Sequence, residues 1–517
     1  MVDPQGVAAA QQALGAQLAR LREATGYTQA DLAGRVSTSR STVANVETGH
    51  SRGTLDFWTR ADRVLQARGA LTQGYEEVRT LVTRQRQESA RAAAAARSAA
   101  AGQATHRAVA LAGAGTLADW SANPVGSVLA GRAPVAPGGG ASYAEEQVLV
   151  APAGRFFDGL SIQAGVYPAV DDGRVLTAVP VGYVNDQFLR RPRRGLVVGV
   201  ADGRDGMAAF GLDSRQARRR LTRAGPGARL LIPHAYVLDD LTLGILWAVA
   251  NLDEALLNDD GLLADLQQRL GRYEALPQSA AGRDLAADLT TVSQMWLGSD
   301  FCARHILRHL AEVSDAPAFW TREQRGEEAS TWLLFAHKYH YLQAVTDRFG
   351  GTALSRGFCI PPETVAASSR PERILMLLTA ALMESFAIRI EVCADPEYAA
   401  VEGFVLDPRR RAIVANWVGA DGIWHVGVTA DRPAIRGYDD ITGHARAHSA
   451  IAGDSPAQRM RALAAYLELD WPWLARRCAD LGEHGCAGLA EPRSRLLSTA
   501  GVDRACRYLS ELDTAGG

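Results

Sequence analysis

"TQADLAGRVSTSRSTVANVETG", residues 28–49, divides into two short helical patterns around a polar turn. Leu32, Ala33 and Val36 share one face of the first pattern, and Val43 and Val46 share one face of the second, at helical spacing. Ser37-Thr38 makes the turn. Ser39 is a good N-cap, because its hydroxyl can accept a hydrogen bond from an amide two or three positions on. Gly49 supplies the stop. Ala33 is small enough for the two helices to approach closely.

A helix offered to the major groove of DNA needs this arrangement. One helix braces against the backbone, a short turn sets the angle, and the second helix enters by its N-terminal end. That end must carry small or polar side chains. Arg40, Ser41 and Asn45 fall on the outward face of the second pattern, away from Val43 and Val46. An arginine can bridge two acceptors on guanine, and an asparagine can read adenine through two bonds. Gln29, opening the brace helix, is placed to meet a phosphate.

Residues 14–66 resemble the Cro/repressor type of helix-turn-helix, the XRE family of bacterial and phage regulators. The likeness is carried by "TQADLA", by the Ser39-Arg40-Ser41-Thr42-Val43 start of the second helix, by "NVETG" and by the following "TLDFWTRADRVL". It implies that Gln29 and Ser39 contact phosphate while Arg40, Ser41 and Asn45 read bases. Two features depart from the family pattern: Ser37-Thr38 stands where Gly followed by Val is usual, and "GHSRGTLDF" lacks a proline that many relatives carry. The resemblance covers about a tenth of the chain.

Outward from this stretch, "LGAQLARLREATG" predicts a helix with Leu14, Leu18 and Leu21 on one face, stopped by Gly26. "TLDFWTRADRVLQARG" places Leu55, Trp58, Ala61 and Leu65 at helical spacing. In "LTQGYEEVRTLVTRQRQ", Leu71, Tyr75, Val78 and Val82 form a stripe fit to pair with a partner helix. An Ala/Arg tract and a Pro/Gly-rich run follow, and they read as a linker. The expected organisation is multidomain: an all-α DNA-binding domain over 1–85, a linker over 86–145, and a large α+β remainder. Within that remainder, residues 146–347 read as β-rich and then helical. Residues 348–517 read as a helix capped by Ser369, a meander of strands from "IRIEVCA" to "IWHVGVTA", and a helical tail.

The 517 residues carry a formal net charge of −2, which excludes neither nucleic-acid nor protein partners. Lys338 is the only lysine, so basic positions default to arginine, as in a high-GC genome of actinobacterial type. Residues 1–100 hold 13 Arg against 9 Asp and Glu, a mildly basic balance with modest non-specific affinity for DNA. No apolar run is long enough to span a membrane, and the N-terminus lacks the pattern of a secretory signal. A cytoplasmic protein is expected. Its six cysteines, without a CxxC, read as buried thiols.

The remaining four hundred residues show no catalytic constellation. His305/His309 and His444/His448 stand four apart and His337/His340 three apart, but no HExxH or completing carboxylate accompanies them. Cys478, His484 and Cys486 match no common zinc spacing. "LVVGVADGRDG" (196–206) reads as a strand and an Asp-Gly turn rather than a dinucleotide loop. Arg190, Arg191, Arg193 and Arg194 in one loop, and Arg215, Arg218, Arg219 and Arg223 on a helix capped by Asp213, are basic features open to DNA phosphates or an anionic effector. No catalytic residue, metal or cofactor is assigned. The expected function is that of a dimeric, non-enzymatic regulator of double-stranded DNA whose C-terminal region dimerises and senses an effector or partner. An enzyme with an accessory DNA-binding head, or a protein-interaction or antitoxin-like repressor, stands as the alternative.

Overall fold

The computed structural model describes residues 4–36, 38, 40–49, 55–78, 80–81, 145–171, 175–180, 194–203, 206–224, 229–314, 316–408, 410–418 and 422–514. The linker expected over 86–145 falls outside them except for its last residue, Glu145. Two compact units result, Met1–His106 and Arg107–Gly517.

The first unit is helical: α1 (Pro4–Ala24), α2 (Gln29–Arg35), α3 (Arg40–Glu47) and α4 (Leu55–Val64), then a helical stretch over residues 70–78. Its core includes Phe57 and most of the apolar positions read from the periodicity, with Leu18, Leu32, Val43, Trp58 and Ala61 at 1% exposure or less. Leu71 and Val78 belong to this same core, and Tyr75 stacks on Trp58. This corrects the reading of their stripe as a partner-binding face: the described part of it is already covered. Val82 lies outside the described residues.

The second unit contains two sheets, a large core that both share, and a smaller core that includes Trp320, Phe404 and Ile435. In the first sheet, β1 (Glu145–Ala151) pairs antiparallel with β2 (Leu160–Asp171), which runs parallel to β4 (Gly195–Gly203). Strand β4 forms an antiparallel hairpin with β5 (Gly206–Asp213), closing at Gly203 and Gly206. The "LVVGVADGRDG" motif is therefore a hairpin. The far end of β2 pairs with β3 (Val175–Pro180), which pairs with β6 (Arg229–Pro233).

The second sheet has seven strands: β7 (Gln278–Gly282), β8 (Ala318–Thr321), β9 (Leu354–Cys359), β10 (Ile388–Cys393), β11 (Phe404–Asp407), β12 (Arg411–Asn416) and β13 (Gly422–Thr429). Their order is β10-β9-β8-β11-β12-β13-β7. Strands β8, β9 and β10 are parallel and joined through helices, as parallel pairing requires. Strands β11 to β13 form the antiparallel meander. The expected meander included "IRIEVCA", but that segment is β10, at the opposite edge. The sheet also crosses the division expected after residue 347, since β7 and β8 precede it and β9 to β13 follow.

Long-range polar contacts knit this unit further. The Glu327 carboxylate accepts the backbone N–H groups of Arg155, Phe156 and Phe157 at 3.0–3.1 Å. The helix Asp240–Asn258 is buried along most of its length and is capped by a reciprocal Asp239–Thr242 box. The helix Arg370–Glu384 begins with the expected Ser369 cap, reciprocated by Glu372. Among the described residues, no helix is long and apolar enough to cross a membrane.

Candidate nucleic-acid interface

Helix α2 starts because Thr28 and Asp31 cap one another. The Asp31 amide donates to the Thr28 hydroxyl oxygen at 3.1 Å, and the Thr28 amide donates to the Asp31 carboxylate at 2.9 Å. The bond from the Thr28 hydroxyl holds the Asp31 carboxyl below the usual aspartate range. The helix ends at Val36, whose amide donates to the Leu32 carbonyl. The Thr38 amide then donates to the Ala33 carbonyl at 2.9 Å, which fixes the entry to the turn. Ser37 and Ser39 lie outside the described residues.

Helix α3 lies on α1 with no room between their backbones. A Cβ added to Gly15 would stand 2.3 Å from the Val46 carbonyl oxygen and 2.6 Å from that of Glu47. Val43 and Val46 are buried as expected. Gly49 has φ +76°, the left-handed conformation that favours glycine, and its carbonyl accepts from the Gln11 amide side chain at 2.9 Å.

One polar knot ties the first three helices together. The Arg22 guanidinium of α1 donates to both oxygens of Glu47 in α3, at 2.6 and 3.1 Å, and to the Tyr27 carbonyl at 2.9 Å. Gln29 of α2 donates its side-chain amide to Glu47 at 2.8 Å. The Arg22 and Glu47 side chains are 10% and 6% exposed, so the pair is shielded from water. The bond to Glu47 raises the Arg22 pKa above its already high ordinary value.

At the opposite end of α3, Arg40 is exposed. Ser41 and Asn45 belong to the helical backbone behind it. A buried frame thus presents the N-terminal end of a short helix, with an exposed guanidinium at its first residue. Residues 13–73 match the family model for a helix-turn-helix domain. No curated protein matches the chain, and no solved structure does.

Two of the residues that orient the helix-turn-helix segment, Arg22 and Glu47, were not singled out by sequence. Arg22 adjoins the Leu14/Leu18/Leu21 stripe, and Glu47 follows buried Val46. A charged residue beside the apolar face of each of two packed helices is the available signal, but their pairing across 25 positions is not local. Gln29, expected at phosphate, has its amide group turned to Glu47; its place at the start of α2 is as read.

The other motifs disperse. Arg194 is buried, with its guanidinium on Asp213 at 2.7 Å and Asp253 at 3.0 Å. This corrects its reading as part of a loop open to phosphates; Arg190, Arg191 and Arg193 lie outside the described residues. Asp213 does cap the helix Ser214–Ala224, accepting the Arg215 amide at 2.8 Å. On that helix Arg215, Arg218, Arg219 and Arg223 are exposed, and Arg219 pairs with Glu491.

The His305 and His309 rings lie 4.6 Å apart, and burial pushes His305 down to about 4, so it is neutral at pH 7. His337 faces Ser299 while His340 is exposed, and the His444 and His448 rings stack. Cys478 and Cys486 are buried but His484 is exposed, so the three do not converge. Burial pushes the Cys486 thiol well above its usual range. Among the described residues, no group of three or more His, Cys, Asp or Glu side chains is disposed to hold a metal ion.

Proposed function

We propose that the chain is a sequence-specific transcriptional regulator of the Cro/repressor (XRE) type, acting on double-stranded DNA in the cytoplasm as a homodimer. The observation that carries this is the exposed Arg40 at the start of a helix whose other face is buried on α1 and α2. In this reading Arg40, Ser41 and Asn45 meet base edges. Ser39 and the backbone N–H groups at the start of α2, that of Gln29 included, meet phosphate. A short helix reads only a few base pairs, so two copies related by symmetry and spaced by about one helical turn supply the rest. The second unit supplies dimerisation and senses an effector; no catalytic role is assigned to it.

The test is sequencing of fragmented host DNA recovered by the purified full-length protein near physiological salt. Discrete sites built from paired half-sites are expected, and Arg40→Ala should lose them. Recovery of no site above background, or of the same sites by both proteins, would sink the proposal.

A further inference from the structure

Five arginines are buried among the described residues. Four of them hold carboxylates: Arg22 on Glu47, Arg194 on Asp213 and Asp253, Arg459 on Glu384, and Arg477 on Asp239. Arg356, on β9 and 4% exposed, does not. One of its terminal nitrogens donates to the Thr321 hydroxyl at 2.6 Å, and the other reaches the Tyr341 hydroxyl at 3.5 Å. The guanidinium lies over the Phe319 and Trp332 rings at 4.6 and 4.8 Å. Its Nε has no hydrogen-bond acceptor. A buried charge without a counter-charge is costly, and proteins keep one where something else supplies the opposite sign.

Arg356 lines a half-open cavity, about 560 Å³ when the open solvent at its mouth is counted, between β8, β9, the meander and the helices Thr291–Leu310 and Ala336–Phe349. Lys338, the chain's single lysine, stands in the same wall and is 3% exposed. It donates to Glu323 at 2.9 Å and to the Thr331 hydroxyl at 2.8 Å, between the Trp332 and Trp417 rings. Glu323 is the only carboxylate among the lining residues, and Lys338 already holds it. The fully buried wall therefore has one cation without a carboxylate, Arg356, with its Nε unmatched, and the half-buried Arg322 also lines the cavity. The remaining lining mixes aromatic rings, among them Phe319, Trp332, Tyr341 and Trp417, with small and aliphatic residues.

A wall of aromatic and aliphatic groups disfavours a strongly hydrated dianion such as phosphate, and the one fully buried cation without a counter-charge matches a monoanion. We propose that this cavity binds a small aromatic carboxylate, with the carboxylate on Arg356 and the ring between Trp332 and Trp417. As the effector site of the regulator this rests on the preceding functional reading; as a binding site it does not.

The test uses the full-length protein titrated calorimetrically with benzoate, phenylacetate and indole-3-carboxylate, each beside its neutral amide, and with inorganic phosphate. Saturable binding of at least one acid is expected, at least about tenfold tighter than its amide and than phosphate. Arg356→Met should weaken it by about tenfold or more while the protein keeps its melting temperature, and Arg356→Lys should retain part of it. Absence of saturation by every acid at low millimolar concentration would overturn the proposal. So would equal binding of acid and amide, or unchanged binding by Arg356→Met. Acid binding alongside failed DNA capture would remove the regulator reading and leave the cavity standing.

Discussion

The helical unit and the larger mixed unit both bury a paired arginine, and they differ in where an arginine without a carboxylate stands. In the first, Arg22 is closed off by Glu47, which Gln29 also holds, and Arg40 at the start of α3 faces outward. In the second, Arg194 is closed off by two aspartates, while Arg356 is buried without a carboxylate inside a cavity lined in part by aromatic rings. A cation that holds a frame has its counter-charge in the chain; a cation that awaits a ligand does not. By that rule each unit has a frame arginine and a receiving arginine, one aimed at a large polyanion and the other at a small one.

The rule breaks first at the frame arginines. Arg194→Met leaves Asp213 and Asp253 buried without it and should cost about 4 kcal/mol of stability in urea unfolding. Burial already raises the Asp213 pKa. Removing its cation raises it further, so the folded state holds a proton that the unfolded state releases. The variant's stability should therefore fall as pH rises from the ordinary aspartate range through the raised value. A variant as stable as the parent across that range would contradict the frame role.

Glu47→Ala leaves the buried Arg22 with only the exposed Glu23 as counter-charge. A cost of about 3 kcal/mol is expected, seen as roughly hundredfold faster amide exchange in α1 to α3 and unchanged exchange in the second unit. Gly15→Ala inserts a methyl group against two carbonyl oxygens of α3. It should cost about 2 kcal/mol and weaken specific DNA binding by displacing that helix. Thr28→Ala removes one side of the α2 cap, with an expected loss of about 1 kcal/mol. Arg356→Met sharpens the contrast from the other side: it should change stability by less than about 1 kcal/mol, because no carboxylate is left behind.

What could be read from sequence follows the range of the interactions. The helices around the turn, the Gly49 stop, the Ser369 cap and the 196–213 hairpin are set by residues within a few positions of each other. Strands β7, "QSAAG", and β8, "AFWT", were missed because they are short, and β7 has little intrinsic strand preference. Their partners lie far away: β8 pairs with β9 across two helices, and β7 pairs with β13 across more than a hundred residues. The meander was legible, but its edge was not, since β10 joins β9 by a parallel crossover. The same limit hid the cavity. Lys338 stood out as a lone lysine, but its pairing with Glu323 and its nearness to Arg356 come from folding three distant segments together.

The central claim is that Arg40 reads bases rather than merely adding positive charge. The most direct test compares the affinities of the full-length protein and of Arg40→Ala for a recovered site and for a scrambled duplex of equal length, at one salt concentration. The account predicts a loss of about 1–3 kcal/mol on the site, roughly ten- to a hundredfold, with little change on the scrambled duplex. An equal loss on both would make Arg40 a phosphate contact and contradict the assignment of α3 as the reading helix.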